Sequence, residues 1–372
     1  AWKIDNDDDV SAESGTGLVH LACFGEDDVR IFNREGIPIF DPVDEEGNFM
    51  QDMEFIAGLN VMEANRPISQ KLKEKGLMFR QETVEHSYPF CWRTDTPLIY
   101  KPISTWFVKV ESFRDRMVEH NRKVHWVPGH IRDGRFGKWL ENARDWAISR
   151  NRFWGTPLPI WKSEDGDTLC FGSVEELENA SGTKVPDLHK QHVDQLVIEH
   201  QGKTYRRVTE VLDCWFESGS MPYGQQHYPF ENKEVFEANF PANFICEGLD
   251  QTRGWFYTLV VIAQALFDKP AFHNCVVNGL ILAEDGKKMS KRLKNYPDPT
   301  QMLDQYGADA IRLYMLNSPA VRGEDLRFSE KGLVETTRTL LLPLWNALAF
   351  LTTYARIDGW EPTNENLELP RN

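Results

Sequence analysis

The stretch DQTRGWFYTLVVIAQALF, residues 250–267, followed by NCVVNGLIL, residues 274–282, decides the fold. The first segment is apolar on nearly all sides over the length of a helix, which predicts a buried helix. The second is a β-branched run of the kind that forms a buried strand of a parallel sheet. Upstream, residues 103–128 predict a strand, a helix and a second strand in the segments ISTWFVKV, ESFRDRMVEHN and VHWVP. Strands that alternate with helices predict an α/β domain, and the helical patterns after residue 298 predict an α-helical domain behind it.

The remaining segments carry weaker signals. Residues 11–60 predict strands and loops around SGTGLVHLACFG. The segment from Asn65 predicts a short helix that ends before Gly76, and the alternation in residues 77–90 predicts an extended strand. Polar residues 162–210 predict an inserted unit, with a capping box at Ser173–Glu176 and a hairpin over residues 201–207. Further helices are expected over the following ranges: 136–149, 298–307, 308–318 and, with an interruption at Pro343, 329–356.

Composition limits the class of protein. A chain of 372 residues has room for two or three domains, and its net charge of −15 argues against a non-specific nucleic-acid binder. A local basic strip remains compatible with that charge. The six cysteines form no CxxC pair, so we expect no zinc ribbon or other structural metal, reduced thiols and a cytoplasmic location. The longest apolar run, residues 259–267, is too short for a bilayer, so no membrane partner is expected.

The segment GKKMSKRLKNYPDP, residues 286–299, places five cations within eight residues of this acidic chain. It follows the predicted strand and the pair Asn278-Gly279, and ligands bind beyond the carboxyl ends of strands in open α/β sheets. Ammonium groups there can neutralise charge on a polyphosphate in a transition state. The alternative is a solvated run of charges. The spacing does not match a Walker A motif.

The order of these residues is specific. KMSKR, residues 288–292, resembles the KMSKS signature of class I aminoacyl-tRNA synthetases, and its closing Arg resembles eukaryotic-type isoleucyl enzymes. Four further blocks resemble isoleucyl-tRNA synthetases in the order of that family: ARDWAISRNRFWGTPLPIW (143–161), DCWFESGSMPYGQQHYPFEN (213–232), EGLDQTRGWFYTL (247–259) and YGADAIRLYMLNSP (306–319). The resemblance covers nearly the whole chain.

The resemblance implies an α/β fold: the second half of a class I Rossmann-like nucleotide-binding domain, with part of a β-rich editing domain before it and the start of an α-helical anticodon-binding domain after it. The expected divisions are the end of the editing domain (1–64), a return connection (65–105), the catalytic half with its insertion at about 162–210 and the KMSKR loop (106–305), and the stem-contact and anticodon-binding region (306–372). No HxGH motif occurs, and the chain does not begin with Met. We therefore expect an internal fragment of a longer protein.

Two short patterns are decoys. PGHI, residues 128–131, lacks the HxGH pattern. HKQH, residues 189–192, lacks the Glu of the HExxH zinc motif, so it is interpreted as loop surface.

The resemblance also implies site residues. The catalytic loop would comprise Lys288, Met289, Ser290 and Lys291. ATP and the adenylate would be bound by Glu247, Gly248, Asp250, Gln251, Asn278, Gly279 and Lys291. The walls of the isoleucine pocket would be Trp215 and Trp255. Physical reasoning agrees, because carboxylate and amide groups at a helix N-terminus can bind ribose hydroxyls and an ammonium group. The alternatives are N-capping by Asp250 and tryptophans that are ordinary core residues.

An editing pocket is implied near the start of the chain by SGTGLVHLACFGEDD, residues 14–28. Its residues would be Gly15, Thr16, Gly17, His20 and Asp28. The segment departs from the family pattern at Ala22-Cys23-Phe24-Gly25, which lacks a Pro and is one residue shorter.

The implied function is that of an isoleucine–tRNA ligase, with ATP accompanied by Mg²⁺, L-isoleucine and tRNA(Ile) as substrates and with hydrolytic editing of mischarged valine. Two alternatives stay open, a valyl-type synthetase and a catalytically inactive module that binds tRNA or a partner.

Overall fold

The computed structural model describes residues 19–91, 94–290 and 294–363. The chain divides into two compact units, Ala1–Ser104 and Thr105–Asn372. The first unit contains helices α1 (Glu26–Glu35) and α2 (Val61–Glu74) and a short 3₁₀ turn at Glu54–Ile56. The helix predicted from Asn65 is confirmed, but it begins at Val61, because the Asn60 side chain accepts a hydrogen bond from Met62 N at 3.1 Å and caps it.

The prediction of strands and loops over residues 11–60 is wrong for α1. The carboxylates of Asp27 and Asp28 in the first turn stabilise the N-terminus of this helix, and Gly36 ends it in the left-handed conformation at φ 64°. The extended strand predicted for residues 77–90 is also absent from the described structure, where residues 77–89 form no ladder and Phe79 is fully exposed. In its described residues this unit holds only isolated β-bridges, such as Val43 with Phe49. Alternation alone does not make a strand when no partner strand is in register.

The second unit contains the remaining elements. Its strands are β1 (Phe107–Val108), β2 (His125–Val127), β3 (Trp146–Ala147), β4 (Ser149–Arg150), β5 (Ile160–Ser163), β6 (Thr168–Cys170), β7 (Val197–His200), β8 (Lys203–Arg207), β9 (Val211–Leu212), β10 (Ile245–Gly248), β11 (Asn274–Asn278), β12 (Ile281–Leu282) and β13 (Leu326–Arg327). Its α-helices are α3 (Arg114–Arg122), α4 (Gly137–Glu141), α5 (Val174–Ser181), α6 (Lys190–Val193), α7 (Cys214–Gly219), α8 (Met221–Gly224), α9 (Lys233–Asn239), α10 (Trp255–Phe267), α11 (Pro299–Tyr306), α12 (Ala308–Leu316), α13 (Glu330–Thr336) and α14 (Leu342–Asp358). Shorter 3₁₀ and π segments are Val110–Ser112, Arg132–Phe136, Leu249–Arg253, Pro319–Arg322 and Thr337–Leu341.

A parallel sheet of three strands in the order β10-β11-β2 forms the centre of this unit. The parallel strand and the buried helix predicted from residues 250–282 are both confirmed. Every residue of α10 from Phe256 to Gln264 is buried. Helix α7 packs closely on it at Gly219, where a Cβ atom would lie 2.9 Å from Ile262 Cδ1 and 3.0 Å from Thr258 Cβ. This close packing fixes the start of α10 relative to α7.

Residues 160–207 form a separate antiparallel sheet in the order β6-β5-β8-β7. Its small core surrounds Trp161, whose indole N–H donates to Leu196 O at 2.9 Å. The predicted cap at Ser173 is confirmed, since Ser173 Oγ accepts from Glu176 N at 3.1 Å, but the Glu176 carboxylate accepts from Gly172 N at 2.8 Å, one residue before the N-cap that a capping box would use. The predicted hairpin is also confirmed, with positive φ angles at Gln201 and Gly202 between β7 and β8.

Two helix predictions need correction. The helix expected over residues 136–149 ends at Glu141, because Trp146 pairs with Val108 in the β1–β3 ladder. The last helix is interrupted by the π segment Thr337–Leu341 rather than at Pro343 itself. Pro343 lies in the first turn of α14, where its missing N–H costs little.

The helices after residue 298 enclose a small core of Met302, Ala310 and Leu333. The predicted pair of helices split at Gly307 is confirmed, and Asp298 caps the first by accepting from Thr300 N at 2.7 Å. Among the described residues, the continuous helical stretch Glu330–Asp358 is long and apolar enough to cross a bilayer by length and composition. One helix of this kind is a weak indication, because helices of soluble proteins pass the same test.

Candidate functional site

The carboxyl ends of β10 and β11 bring the first group of predicted site residues together. The two strands pair in parallel, with Glu247 opposite Val277 and Gly248 opposite Asn278. Glu247 is exposed and Asn278 is partly exposed. A carboxylate and an amide therefore lie at neighbouring strand ends, the edge of an open α/β sheet where ligands bind.

The 3₁₀ turn Leu249–Arg253 follows β10 directly and carries Asp250 and Gln251. The alternative that Asp250 is the N-cap of α10 is wrong, because Gln251 Oε1 accepts the hydrogen bond from Trp255 N at 3.0 Å. The exposed Asp250 carboxylate receives only a long hydrogen bond from Gln251 Nε2, at 3.5 Å, among the contacts described for it. It also lies over Gly248, where a Cβ atom would be 2.8 Å from Asp250 Oδ1. The turn thus leaves a carboxylate open to a ligand beside the strand end.

Both predicted pocket tryptophans lie at the start of α10. A Cβ atom on Gly254 would lie 3.2 Å from Trp215 Cη2, so the Trp215 ring covers the backbone next to Trp255. The Trp255 indole N–H donates to Ser218 O at 3.0 Å and ties α10 to α7. Trp215 keeps 40% of its surface exposed, unlike an ordinary core residue, whereas Trp255 is partly buried and packs against the core.

The position of Trp215 depends on a capped and charged helix start. Asp213 is the N-cap of α7, and its Oδ1 accepts from Trp215 N at 3.2 Å. Its other oxygen forms an ion pair with Arg150 at 2.5 Å, and the Asp213 side chain is only 5% exposed. A buried carboxylate held by a guanidinium and by backbone N–H groups is rigid, so the helix that carries Trp215 starts from a fixed point.

The lysine loop, the part of segment 286–299 that contains KMSKR, is anchored at both of its ends. At its start, residues 281–288 form a small hairpin in which Ala283 N donates to Lys287 O at 2.9 Å. Asp285 in the hairpin turn has a lowered pKa, chiefly because the Lys287 backbone N–H donates to its carboxylate. After the loop, the Asn295 side chain accepts from Ser290 N at 2.9 Å and donates to Lys288 O at 3.1 Å. Residues 291–293, and with them Lys291, lie outside the described residues.

Gly279 locks the end of β11 to the region before β13. A Cβ atom there would lie 1.7 Å from Glu324 O, so only glycine fits. Gly279 N donates to Ala320 O at 2.7 Å, and Leu280 N donates to Asp325 Oδ1 at 3.2 Å. The strand end that bears Asn278 and the start of the lysine loop are therefore held by the segment 319–325.

The predicted editing residues are only partly described. Gly15, Thr16 and Gly17 lie outside the described residues. His20 is exposed, and Asp28 lies in the first turn of α1, with its Oδ2 atom 3.0 Å from where a Cβ atom of Gly25 would be. The Asp28 carboxylate thus lies beside Gly25, and its editing role remains a prediction.

Sequence reasoning missed three residues that support the site. Asn295 closes the lysine loop, and Thr252 and Arg135 form a hydrogen bond of 3.0 Å behind the 3₁₀ turn. Asn295 follows the lysine-rich segment directly, so its position could have singled it out. Nothing in the local pattern links Arg135 to Thr252, because 117 positions separate them.

In PGHI, Gly129 and His130 are exposed but Ile131 is buried, and HKQH is not a loop, because His189 is the N-cap of helix α6 and residues 190–192 lie in that helix. A cavity of about 640 Å³ lies at the end of β2, and its lining includes residues 128–130 of PGHI. In HKQH, His189 and His192 both face Asp187, at 2.6 and 3.4 Å, and both are more than half exposed. Within residues 19–91, 94–290 and 294–363, no group of three or more His, Cys, Asp or Glu side chains is placed to hold a metal ion.

The chain belongs to the family described as tRNA synthetases class I (I, L, M and V), which matches residues 27–328. The predicted α/β class and class I synthetase fold are confirmed.

Within that class, the chain is similar to curated isoleucine–tRNA ligases. The chain is 57% identical over 363 residues to the isoleucine–tRNA ligase of Protochlamydia amoebophila, covering 97% of this chain and 35% of the relative. It is 55% identical over 371 residues to the isoleucine–tRNA ligase of Chlamydia trachomatis serovar L2, covering 99% of this chain and 36% of the relative. The chain therefore spans about a third of the length of these relatives. Among solved structures, the methionyl-tRNA synthetase of Mycobacterium tuberculosis in complex with methionyl-adenylate is similar, with a TM-score of 0.45 and 20% identity over 68% of this chain and 40% of that chain.

Proposed function

We propose that this chain supplies the second half of the active site of an isoleucine–tRNA ligase. In the proposed reaction the carboxylate of L-isoleucine attacks the α-phosphorus of ATP, isoleucyl-adenylate forms and pyrophosphate leaves. A hydroxyl of the terminal adenosine of tRNA(Ile) then attacks the carbonyl carbon of the adenylate, and AMP leaves. The identity to isoleucine–tRNA ligases over nearly the whole chain supports this substrate set. The cytoplasmic location expected from the scattered cysteines belongs to the same proposal.

The observation that carries the proposal is the convergence at the ends of β10 and β11. Glu247 and Asp250 present exposed carboxylates within four residues of each other, at a strand end and the following turn. Carboxylates accept hydrogen bonds from ribose hydroxyls and from an α-ammonium group. Gln251 has its carbonyl oxygen committed to Trp255 N and donates one long hydrogen bond from Nε2 to Asp250, so its second amide N–H is the part proposed to bind a ligand. The backbone at Asn278 and Gly279, at the neighbouring strand end, would contact the adenine.

The lysine loop would act on the other end of ATP. Pyrophosphate gains negative charge as the bond to the α-phosphate breaks, and ammonium groups of Lys288 and Lys291 would stabilise that charge in the transition state. Mg²⁺ enters with ATP as the substrate complex and neutralises phosphate charge. Ser290 would hold the backbone of the loop in place through the hydrogen bond from its N–H to Asn295. Met289 would keep the spacing between the residues of the loop.

The amino-acid slot would be lined by Trp215 and Trp255. Aromatic walls make an apolar slot of fixed width, and the hydrogen bond from Trp255 to Ser218 holds one wall in place. An apolar slot gains only about 1–3 kcal/mol from one methylene, a range for which isoleucyl enzymes are themselves the standard example. Valine would therefore be activated at times, and the editing residues around Asp28 would remove it from tRNA.

The test is pyrophosphate exchange into ATP, measured on a protein of the relatives' full length that carries this chain. Exchange that requires isoleucine, followed by charging of tRNA(Ile), is the expected result. Exchange that prefers valine at every concentration would identify a valyl-type enzyme. Tight tRNA binding without exchange for any amino acid would identify an inactive binding module, and either result would refute the proposal.

A further inference from the structure

The π-helix Arg132–Phe136 and the helix α4 behind it contact the 3₁₀ turn Leu249–Arg253 at two points. Arg135 Nε donates a hydrogen bond to Thr252 Oγ1 at 3.0 Å. The Arg253 guanidinium lies over the Trp139 ring, 5.0 Å from its centroid. The turn held in this way carries the carboxylate of Asp250, one of the groups proposed to bind the ligand.

Thr252 is the buried end of the first contact. It has no exposed surface, and its hydroxyl donates to Leu249 O at 2.7 Å within the turn. A hydroxyl has one proton to donate, so the bond with Arg135 uses it as an acceptor. Both hydrogen-bonding capacities of this buried hydroxyl are therefore occupied, and the turn cannot rotate without leaving one of them unpaired.

Arg135 is directed to Thr252 by the wide turn of the π-helix. Asn121, which is 5% exposed, donates from Nδ2 to Arg132 O at 2.9 Å and accepts from Trp126 Nε1 at 2.9 Å. Gly137 allows the turn, since a Cβ atom there would lie 2.6 Å from Arg132 O. The Asn121 amide, the Trp126 indole and Gly137 thus maintain the π-helix, a kind of segment that recurs at functional sites.

We propose that Arg135 is a positioning residue for the nucleotide site. Through Thr252 it holds the turn Leu249–Arg253 in the rotation that presents Asp250 and Gln251 to the ribose and the α-ammonium group. The inference rests on the proposed function for the identity of the ligand. Arg135 itself touches no ligand in this scheme, and its effect on binding passes through the Thr252 hydroxyl alone.

The substitutions that test this change the hydrogen bonds of the Thr252 hydroxyl. Arg135→Ala removes the bond between Arg135 and Thr252, Thr252→Val removes that bond and the one to Leu249 O, and Thr252→Ser keeps the hydroxyl. Arg132→Ala is the matched control, because it removes a guanidinium from the same π-helix whose partner is the surface carboxylate of Asp133 at 2.7 Å.

The measurements are the dissociation constant of ATP by calorimetry and the KM for ATP against kcat in isoleucine-dependent exchange, on the full-length protein. Arg135→Ala should weaken ATP binding about tenfold, Thr252→Val should weaken it at least as much, and the double variant should lose no more than Thr252→Val alone. Thr252→Ser and Arg132→Ala should keep ATP affinity within about twofold of wild type. If Arg135 only stabilised the fold, its replacement would lower kcat in proportion to the folded fraction of the protein and would leave the KM for ATP unchanged.

Two results would overturn the inference: equal ATP affinity of the Arg135→Ala and Arg132→Ala proteins, or additive losses in the double variant. The proposed function is judged separately. Wild-type protein that binds ATP but activates no isoleucine would refute that function, while the ATP affinities would still decide the role of Arg135. Wild-type protein that binds no ATP would refute both.

Discussion

Replacement of Gly279 by Ala tests whether the end of β11 is anchored as the structure shows. The new Cβ atom would lie 1.7 Å from Glu324 O, and such atoms essentially never approach within 3.0 Å. The backbone of segment 319–325 must therefore move away by about 1.3 Å, the difference between the two distances. The hydrogen bond from Gly279 N to Ala320 O, now 2.7 Å, would not survive that movement.

The expected cost combines two terms. Overpacking against a well-ordered neighbour typically costs about 1–3 kcal/mol. The lost backbone hydrogen bond contributes about 1 kcal/mol more. A local destabilisation of about 2–4 kcal/mol corresponds to a loss of amide protection of roughly 30-fold to 1,000-fold. The loop that starts at this strand end should lose its anchor, so isoleucine activation should fall as well.

Hydrogen–deuterium exchange read by mass spectrometry gives the local measurement, over peptides that cover residues 279–282 and 319–326. Gly224→Ala is the matched control, because Gly224 has no heavy atom within 4 Å of its Cβ position and lies in α8. The control should exchange like wild type. Unchanged protection in Gly279→Ala, together with unchanged activation, would refute the anchoring.

Four further predictions concern the loop, the slot, editing and pH. Lys291→Ala should lower the rate of isoleucine activation by a factor that corresponds to about 2.7–4 kcal/mol, with little change in isoleucine affinity, in pyrophosphate exchange. Trp215→Ala should widen the apolar slot and shift activation from isoleucine toward bulkier amino acids, measured by the same exchange with each amino acid. Asp28→Ala should leave isoleucine activation intact and let valyl-tRNA accumulate in a mischarging assay. The pKa of Asp165 is lowered from 3.8 to about 2, chiefly by its hydrogen bond with Lys203. The Asp165 carboxylate therefore stabilises the inserted unit above about pH 4, and this stabilisation is lost as the pH falls toward 2. An NMR titration should place the Asp165 midpoint well below that of the Lys203→Met protein.

Control variants distinguish these effects from a general loss of folding or activity. Lys287→Ala removes an ammonium that already pairs with Asp285 at 3.5 Å, so its activation rate should stay near wild type. Trp154→Ala removes a tryptophan that is 72% exposed and stacks on His189, and amino-acid preference should not change. Equal effects of Lys287→Ala and Lys291→Ala would mean that the loop acts only as a run of charges. An Asp28→Ala protein that releases no valyl-tRNA would show that this carboxylate does not edit.

The sequence by itself determined those helices and strands whose apolar pattern and whose capping residues indicate the same element. The apolar run from Trp255 to Phe267 is too long and too uniformly apolar for a surface helix, and the β-branched run at Asn274–Asn278 suits a strand covered on both faces. Capping residues decide helix starts locally, which is why Ser173 could be interpreted without the fold. The order of residues in KMSKR and its companion blocks was enough to predict the class of protein.

Only the tertiary structure decided which groups meet. Asp250 is open to a ligand because Gln251, and not Asp250, caps α10, and two neighbouring polar residues look equivalent in sequence. The turn Leu249–Arg253 is held by Arg135 from a helix far away in the chain, and Gly279 is required because Glu324 approaches it. Periodicity and caps are properties of neighbouring residues, so a sequence displays them. A hydrogen bond or a close approach between distant segments depends on the path of the backbone between them, and that path is set by the packing of the whole unit.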